Sequence, residues 1–173
     1  MMYYARTMET PLCRLTICSD GTSIVGVWME GQKYFASTLK ETPSEEARPE
    51  LEQAADWLNR YFRGERPRID ELKLDPAGSP FRKKIWQILC SIPYGRTMTY
   101  GEIAEAAGCR SAQAVGGAVG HNPISIISPC HRVVGSDGSL TGYAGGIRLK
   151  TALLEHEGAD MSQFYVPEKG TAL

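Results

Sequence analysis

Thr99-Tyr100-Gly101-Glu102-Ile103-Ala104-Glu105-Ala106-Ala107-Gly108-Cys109-Arg110-Ser111-Ala112-Gln113-Ala114-Val115-Gly116-Gly117-Ala118-Val119-Gly120 is the stretch whose reading decides the fold. Thr99 and Glu102 stand at capping-box spacing and open a short helix through Ala107, where Gly108 stops it. Ser111 is placed to cap a second helix running to about Gly120, and Asn122-Pro123 closes it. Two short helices joined by a glycine-containing turn resemble a helix-turn-helix, although two ordinary packed core helices share that spacing. The second helix carries Ala112, Ala114, Gly116, Gly117, Ala118 and Gly120. Adjacent glycines inside a helix cost on the order of 1 kcal/mol each relative to alanine. A helix that bears this cost suits close approach, either to another helix or to a nucleic-acid backbone.

Downstream lies Ile126-Ile127-Ser128-Pro129-Cys130-His131-Arg132-Val133-Val134. Its two apolar runs read as short buried strands or extended segments around a polar knot. Pro129 stiffens the backbone before Cys130. A thiol beside an imidazole and a guanidinium has the ingredients of a lowered pKa, so Cys130 is a candidate nucleophile. The plainer alternative is a small buried hydrophobe. Thr141 to Gly146 is a small-residue loop that either walls a pocket, with Tyr143 as its one large ring, or simply connects. Ile147 to Glu157 reads as a helix with Leu149, Ala152, Leu153 and His156 on one stripe and Gly158 as its cap. Glu157 is poorly placed for the helix dipole, and is either plain surface or held there to face a cation.

Upstream, Ser79-Pro80 is an N-cap with proline at the first helical position. Phe81, Ile85, Ile88, Leu89 and Ile92 mark the helix that follows, with Lys83, Lys84 and Gln87 on its outer side. Residues 2–38 alternate as a β-rich unit, with Cys13–Ile17 and Ile24–Trp28 flanking an Asp20-Gly21 turn. Pro49 to Phe62 is an amphipathic helix with Leu51, Ala54, Ala55, Leu58, Tyr61 and Phe62 on one face. Residues 65–78 have little periodicity and read as a link. The expected division is a scaffold domain over 1–78 and a chemistry-bearing domain over 79–173.

Composition sets bounds. The 173 residues, 42% hydrophobic and 23% charged, suit one sizeable domain or two small ones and argue against global disorder. No apolar stretch is long enough to span a bilayer, and no signal peptide is seen. Cys13, Cys18, Cys90, Cys109 and Cys130 form a scattered set without zinc spacing, which favours a reducing, cytoplasmic setting. Net charge is −1, but residues 79–150 hold 8 Lys and Arg against 3 Asp and Glu. That half suits a polyanion partner or a solvated basic face.

Taken together, Pro93-Tyr94-Gly95, Thr99-Tyr100-Gly101-Glu102-Ile103-Ala104, Gln113-Ala114-Val115-Gly116-Gly117-Ala118, Asn122-Pro123, Pro129-Cys130-His131-Arg132-Val133, Gly142-Tyr143-Ala144-Gly145-Gly146 and His156-Glu157-Gly158 resemble the O6-alkylguanine-DNA alkyltransferase family, also called methylated-DNA–protein-cysteine methyltransferases. The motifs cover residues 80–158 in the family's order. Thr10-Pro11-Leu12 and Trp57–Phe62 extend the likeness more loosely. The resemblance implies an α/β N-terminal domain, a small β-sheet with a helix, beside a mostly helical C-terminal domain with a helix-turn-helix.

It also implies a single-turnover transfer of the alkyl group from O6-alkylguanine in duplex DNA to Cys130, with O4-alkylthymine as a second candidate lesion. His131 would act as base through a water, oriented by Glu157; Asn122 would brace the site as a hinge. Tyr100 would donate to the purine and help rotate the nucleotide out, as an in-line displacement on a stacked base demands. Tyr143, Ala144, Val133 and Gly145 would line the pocket. Gln113, Ala114, Gly116, Gly117 and Ala118, with Thr99, Arg110 and Ser111, would meet the minor groove. No cofactor, metal, membrane or obligate protein partner is implied, and a monomer is expected.

Two positions depart from the family pattern. Gln113 stands where arginine is frequent, so it adds no phosphate attraction. Ala144 stands where serine is frequent, which removes one hydrogen bond to the lesion. A non-reacting module for alkylated DNA would lack the cysteine that is present here. A redox sensor built on the helix-turn-helix would need a resolving thiol, for which only Cys90 and Cys109 offer themselves.

Overall fold

The computed structural model describes residues 2–167. The chain forms two compact units, one of residues to Gly78 together with Pro123–Ile127, the other of Ser79–Asn122 with Ser128 onward. The pentapeptide 123–127 therefore belongs with the N-terminal unit, which a single linear cut at residue 78 does not include.

In the first unit, β1 (Tyr4–Glu9), β2 (Arg14–Ser19) and β3 (Ile24–Met29) form an antiparallel sheet in that order. The β2–β3 turn is closed by Asp20, whose Oδ1 accepts from the Thr22 and Ser23 amides at 3.0 and 2.9 Å. Helix α1 (Pro49–Phe62) lies along β2 and buries Leu51, Ala54, Ala55, Leu58 and Tyr61. Trp57 joins that face because its indole Nε1 donates to Arg68 O at 2.8 Å, and Phe62 is only half-buried. Every residue of β3 is buried, and its outer edge is covered. Ile24 N donates to Lys73 O and Asp75 N to Ile24 O; Val27 N donates to Pro123 O and Ser125 N to Val27 O, all at 2.8–2.9 Å. Two segments without periodicity of their own thus cap an edge that would otherwise template aggregation.

That use of 123–125 overturns one expectation. Ile126-Ile127 does not extend as a strand: the bridge to the sheet sits at Ile124, and Ile126 turns with φ +71°. The conformation is costly for a β-branched residue, and Ile126 is held in it by burial and by the 2.8 Å Ile127 N to Ser125 O bond.

In the second unit, α2 (Pro80–Leu89) is capped by Ser79 Oγ, which accepts from Arg82 N at 3.2 Å. Strand β4 (Met98–Thr99) runs into α3 (Tyr100–Ala107) and pairs in parallel with β5 (Val133–Val134). The capping box forms: Glu102 N donates to Thr99 Oγ1 at 3.0 Å and Thr99 N to Glu102 Oε1 at 3.1 Å. Gly108 ends α3 in the left-handed region at φ +68°. Ser111 Oγ accepts from Ala114 N at 3.0 Å and opens α4 (Ala112–Gly120). Helices α2, α3 and α4 pack on one another around Ile85, Leu89, Ile103, Val115 and Val119.

Helix α5 (Ile147–His156) buries Lys150, Leu153 and Leu154. The expected stripe is displaced: Leu149, Ala152 and His156 are only half-buried, and the buried line continues from Leu153 to Glu157 just past the helix. Among the described residues no helix is long and apolar enough to cross a membrane.

Candidate active site

The site is built on a tight turn. Pro129, at φ −82° and ψ 67°, lets Cys130 N donate back to Ser128 O at 2.8 Å, an inverse γ-turn. Cys130–Arg132 then form one 3-10 turn. Successive side chains on such a turn diverge by about 120°. Cys130, His131 and Arg132 therefore point in three directions, and all three are buried.

This corrects the sequence argument for a lowered thiol pKa. Burial pushes the Cys130 thiol up, against the lowering effects of a hydrogen bond with Asn122, the charge of Lys150 and the backbone. Neither His131 nor Arg132 is among the groups that lower it, because both are turned to Glu157. Asn122 is tied into the knot, its Nδ2 donating to Ser128 O at 2.8 Å.

Glu157 is the centre of the second cluster. Its Oε2 accepts from His131 Nε2 at 2.7 Å and Arg132 Nη2 at 2.9 Å; its Oε1 accepts from Arg132 Nε at 2.8 Å and Gly95 N at 3.1 Å. The backbone of Gly95, at φ +75°, comes so close that a Cβ there would lie 3.0 Å from Glu157 O. Burial alone would raise the Glu157 pKa, but the bonds from His131 and Arg132 hold the carboxyl well below the usual carboxylate range. Of the two readings of Glu157, facing a cation is the one the structure realises. With Nε2–H committed to the carboxylate, His131 keeps a lone pair on Nδ1, a buried atom with no partner among the described residues. Burial lowers the His131 pKa, aided by Arg132 and Lys150 and opposed by Glu157.

Lys150 is the residue that sequence reasoning missed. It is fully buried, and its Nζ donates to Thr141 O at 2.7 Å. Burial lowers its pKa to about 8, against the pull of Cys130. A signal was present: Lys150, Leu153, Leu154 and Glu157 recur at i, i+3, i+4 and i+7, a buried helical face with a charge at each end.

Tyr100 O–H donates to the same Thr141 carbonyl at 3.1 Å. Burial, then the charge on Cys130, pushes its phenol up to about 12, so it stays protonated. Thr141 opens the 141–146 loop, which is thereby pinned to α3 and α5. Tyr143 of that loop is buried with its ring edge-on to His131, centroids 6.5 Å apart. Ala144 and Gly145 are half-buried beside it, while Val133 is fully buried in β5.

The other expected residues lie away from this cluster. Arg110, Ser111, Gln113, Ala114 and Gly117 are exposed and Gly116 is half-buried. A Cβ at Gly116 or Gly117 would meet nothing within 4 Å. Of the two explanations for the glycine pair, helix packing is therefore excluded within the described residues. Ala118, expected with them, is instead turned inward: it is buried, and its carbonyl accepts from Trp86 Nε1 on α2 at 2.8 Å. Thr99 is half-buried and occupied as the cap of α3. Among the described residues no group of three or more His, Cys, Asp or Glu could hold a metal.

Residues 2–76 match the model of the 6-O-methylguanine DNA methyltransferase ribonuclease-like domain, and residues 80–159 that of the same family's DNA binding domain. The chain belongs to the 6-O-methylguanine DNA methyltransferase family. Among curated members it is 46% identical over 157 residues to the methylated-DNA–protein-cysteine methyltransferase of Mycobacterium tuberculosis H37Rv, covering 90% of this chain and 93% of that protein. The Methanosarcina acetivorans protein of the same name is 42% identical, with 91% of this chain and 99% of the relative covered. Among solved members, M. tuberculosis OGT in complex with DNA aligns with a TM-score of 0.81 at 44% identity, covering 93% of this chain and 94% of that one. The small sheet domain and the helical domain with its helix-turn-helix are those of the 6-O-methylguanine DNA methyltransferase fold.

Proposed function

We propose that this protein repairs DNA by direct reversal, taking the alkyl group of O6-alkylguanine in duplex DNA irreversibly onto Cys130. The observation that carries the reading is the buried Cys130 thiol, acted on by Asn122 and Lys150 and adjoining a His131–Glu157 pair whose Nδ1 is free to accept a proton. In the reaction the thiol proton passes through a water to His131. Sulfur then attacks the alkyl carbon in line, the S–C bond forms and the C–O6 bond breaks. The electron pair leaves on guanine, which takes a proton from Tyr100. Glu157 holds the imidazole, and Tyr143, Ala144 and Gly145 wall the base.

The lesion has to leave the stack to meet a buried sulfur. The exposed face of α4 supports a minor-groove seat, because the backbone at Gly116 and Gly117 is open to close approach. Gln113 is the longest side chain on that face and fills the gap left by the rotated base. O4-alkylthymine is a second candidate lesion. The protein acts as a monomer in the cytoplasm, with no cofactor.

The test is an intact mass after incubation with methylated duplex DNA. We expect one methyl in place of one hydrogen, mapped to Cys130 and lost in Cys130→Ala, whose DNA affinity stays close to that of the unmodified sequence. A protein that binds the methylated duplex without gaining mass would be a recognition module instead.

A further inference from the structure

The sequence pattern offers Arg132 only as a cation beside Cys130, and the reaction above leaves it unused. Yet it is buried and committed on three sides. Nε and Nη2 grip the two oxygens of Glu157 at 2.8 and 2.9 Å, Nη1 donates to Ile92 O at 2.7 Å, and the guanidinium lies 5.7 Å over the Tyr94 ring. A carboxylate has about four acceptor sites. The bonds to Glu157 described above engage both of its oxygens, two from Arg132, one from His131 and one from Gly95. A two-pronged fork fixes the plane of a carboxylate, which a single bond does not.

We propose that Arg132 is a positioning residue for the transfer reaction, an inference that rests on the function proposed above. Its fork fixes the Glu157 carboxylate against His131 Nε2–H, which leaves the lone pair on Nδ1 to receive the thiol proton. Without the fork the carboxylate can turn, and no guanidinium offsets its charge at the imidazole. That favours imidazolium, which has no lone pair to offer. The remaining groups around His131 do not replace the fork. Lys150 on α5 adds a positive charge, Tyr143 presents a ring edge, Cys130 precedes it in the turn, Gly95 contributes a backbone amide, Tyr94 offers its ring face to Arg132, and Tyr100 is a protonated phenol facing Cys130.

The experiment follows the ring nitrogens of His131 by NMR across pH in the unmodified protein, Arg132→Gln and Arg132→Lys, alongside methyl uptake from methylated duplex. The unmodified protein should show the Nε2–H tautomer. In Arg132→Gln the imidazole should titrate about one pH unit higher or more. Methyl uptake near neutral pH should slow about tenfold as positioning is lost, with DNA affinity unchanged. Arg132→Lys keeps the charge and loses the second prong, so its titration should lie nearer the unmodified protein's while the tautomers mix. Arg132→Lys also decides the matter if Arg132→Gln does not fold. A tautomer, titration and uptake rate all unmoved in a folded variant would overturn the assignment. Failure of the transfer reading looks different: the unmodified protein itself would then gain no methyl.

Discussion

Helix α4 and the Cys130–Arg132 turn handle polar groups in opposite ways. On α4 the caps are local: Ser111 serves Ala114, three residues on, and Gln113, Ala114 and Gly117 are left to solvent. On the turn every side chain is buried, and His131 and Arg132 find their partner at Glu157, 26 and 25 residues away in the chain. The first region gives up helix propensity at open glycines and leaves its surface to solvent. The second confines charge inside the protein, where a missing partner is expensive. Changes in the turn should therefore register mainly as stability and titration, and changes on α4 mainly as DNA binding.

The largest effect is expected from Glu157→Ala. It leaves the Arg132 charge and His131 Nε2–H buried without their acceptor, at a cost of about 3–5 kcal/mol in urea unfolding. A loss below about 1 kcal/mol would be what a surface carboxylate contributes, and would erase the contrast.

Lys150 sharpens it by pH. Its folded pKa of about 8 lies below the unfolded value, so the folded state binds fewer protons as the pH climbs. Its contribution is fully present above the unfolded pKa and is lost as pH falls through about 8. Relative to Lys150→Met, the unmodified protein should gain roughly 3 kcal/mol of stability between about pH 8 and pH 10.5. Parallel stability curves for the two proteins would show that Lys150 is not held in a charge-averse site.

On α4, Gln113→Ala should slow repair of duplex DNA by about tenfold, about 1.4 kcal/mol, because the emptied stack loses its filler. Reaction with the free modified base should hardly change. Equal duplex-to-base rate ratios for the two proteins would make Gln113 an ordinary surface residue.

The smallest effect is the most discriminating. A Cβ at Gly117 meets nothing, so Gly117→Ala should stabilise the protein by up to about 1 kcal/mol through helix propensity. It should at the same time weaken DNA binding in a titration at fixed salt. Stabilisation with unchanged affinity would mean that no backbone approaches this face.

What the amino-acid order determined by itself is the set of features whose partners lie within one helical turn. Thr99 with Glu102, Gly108, Ser79-Pro80 and Ser111 set the ends of α2, α3 and α4, because a cap needs only a side chain and an amide three residues apart. The ordered motifs likewise marked Cys130, His131 and Glu157 as one group through their resemblance to a family. Tertiary structure decided what depends on distance and direction. The turn geometry at Cys130 sent His131 and Arg132 away from the sulfur, so adjacency in the chain misjudged the thiol. Packing put Lys150 inside, turned Ala118 from the open face, and closed the edge of β3 with 123–125. Only Lys150 leaves a local trace, in the spacing it shares with Leu153, Leu154 and Glu157; the others leave none, because a buried polar group or a strand edge is satisfied by whichever part of the chain the fold brings to it.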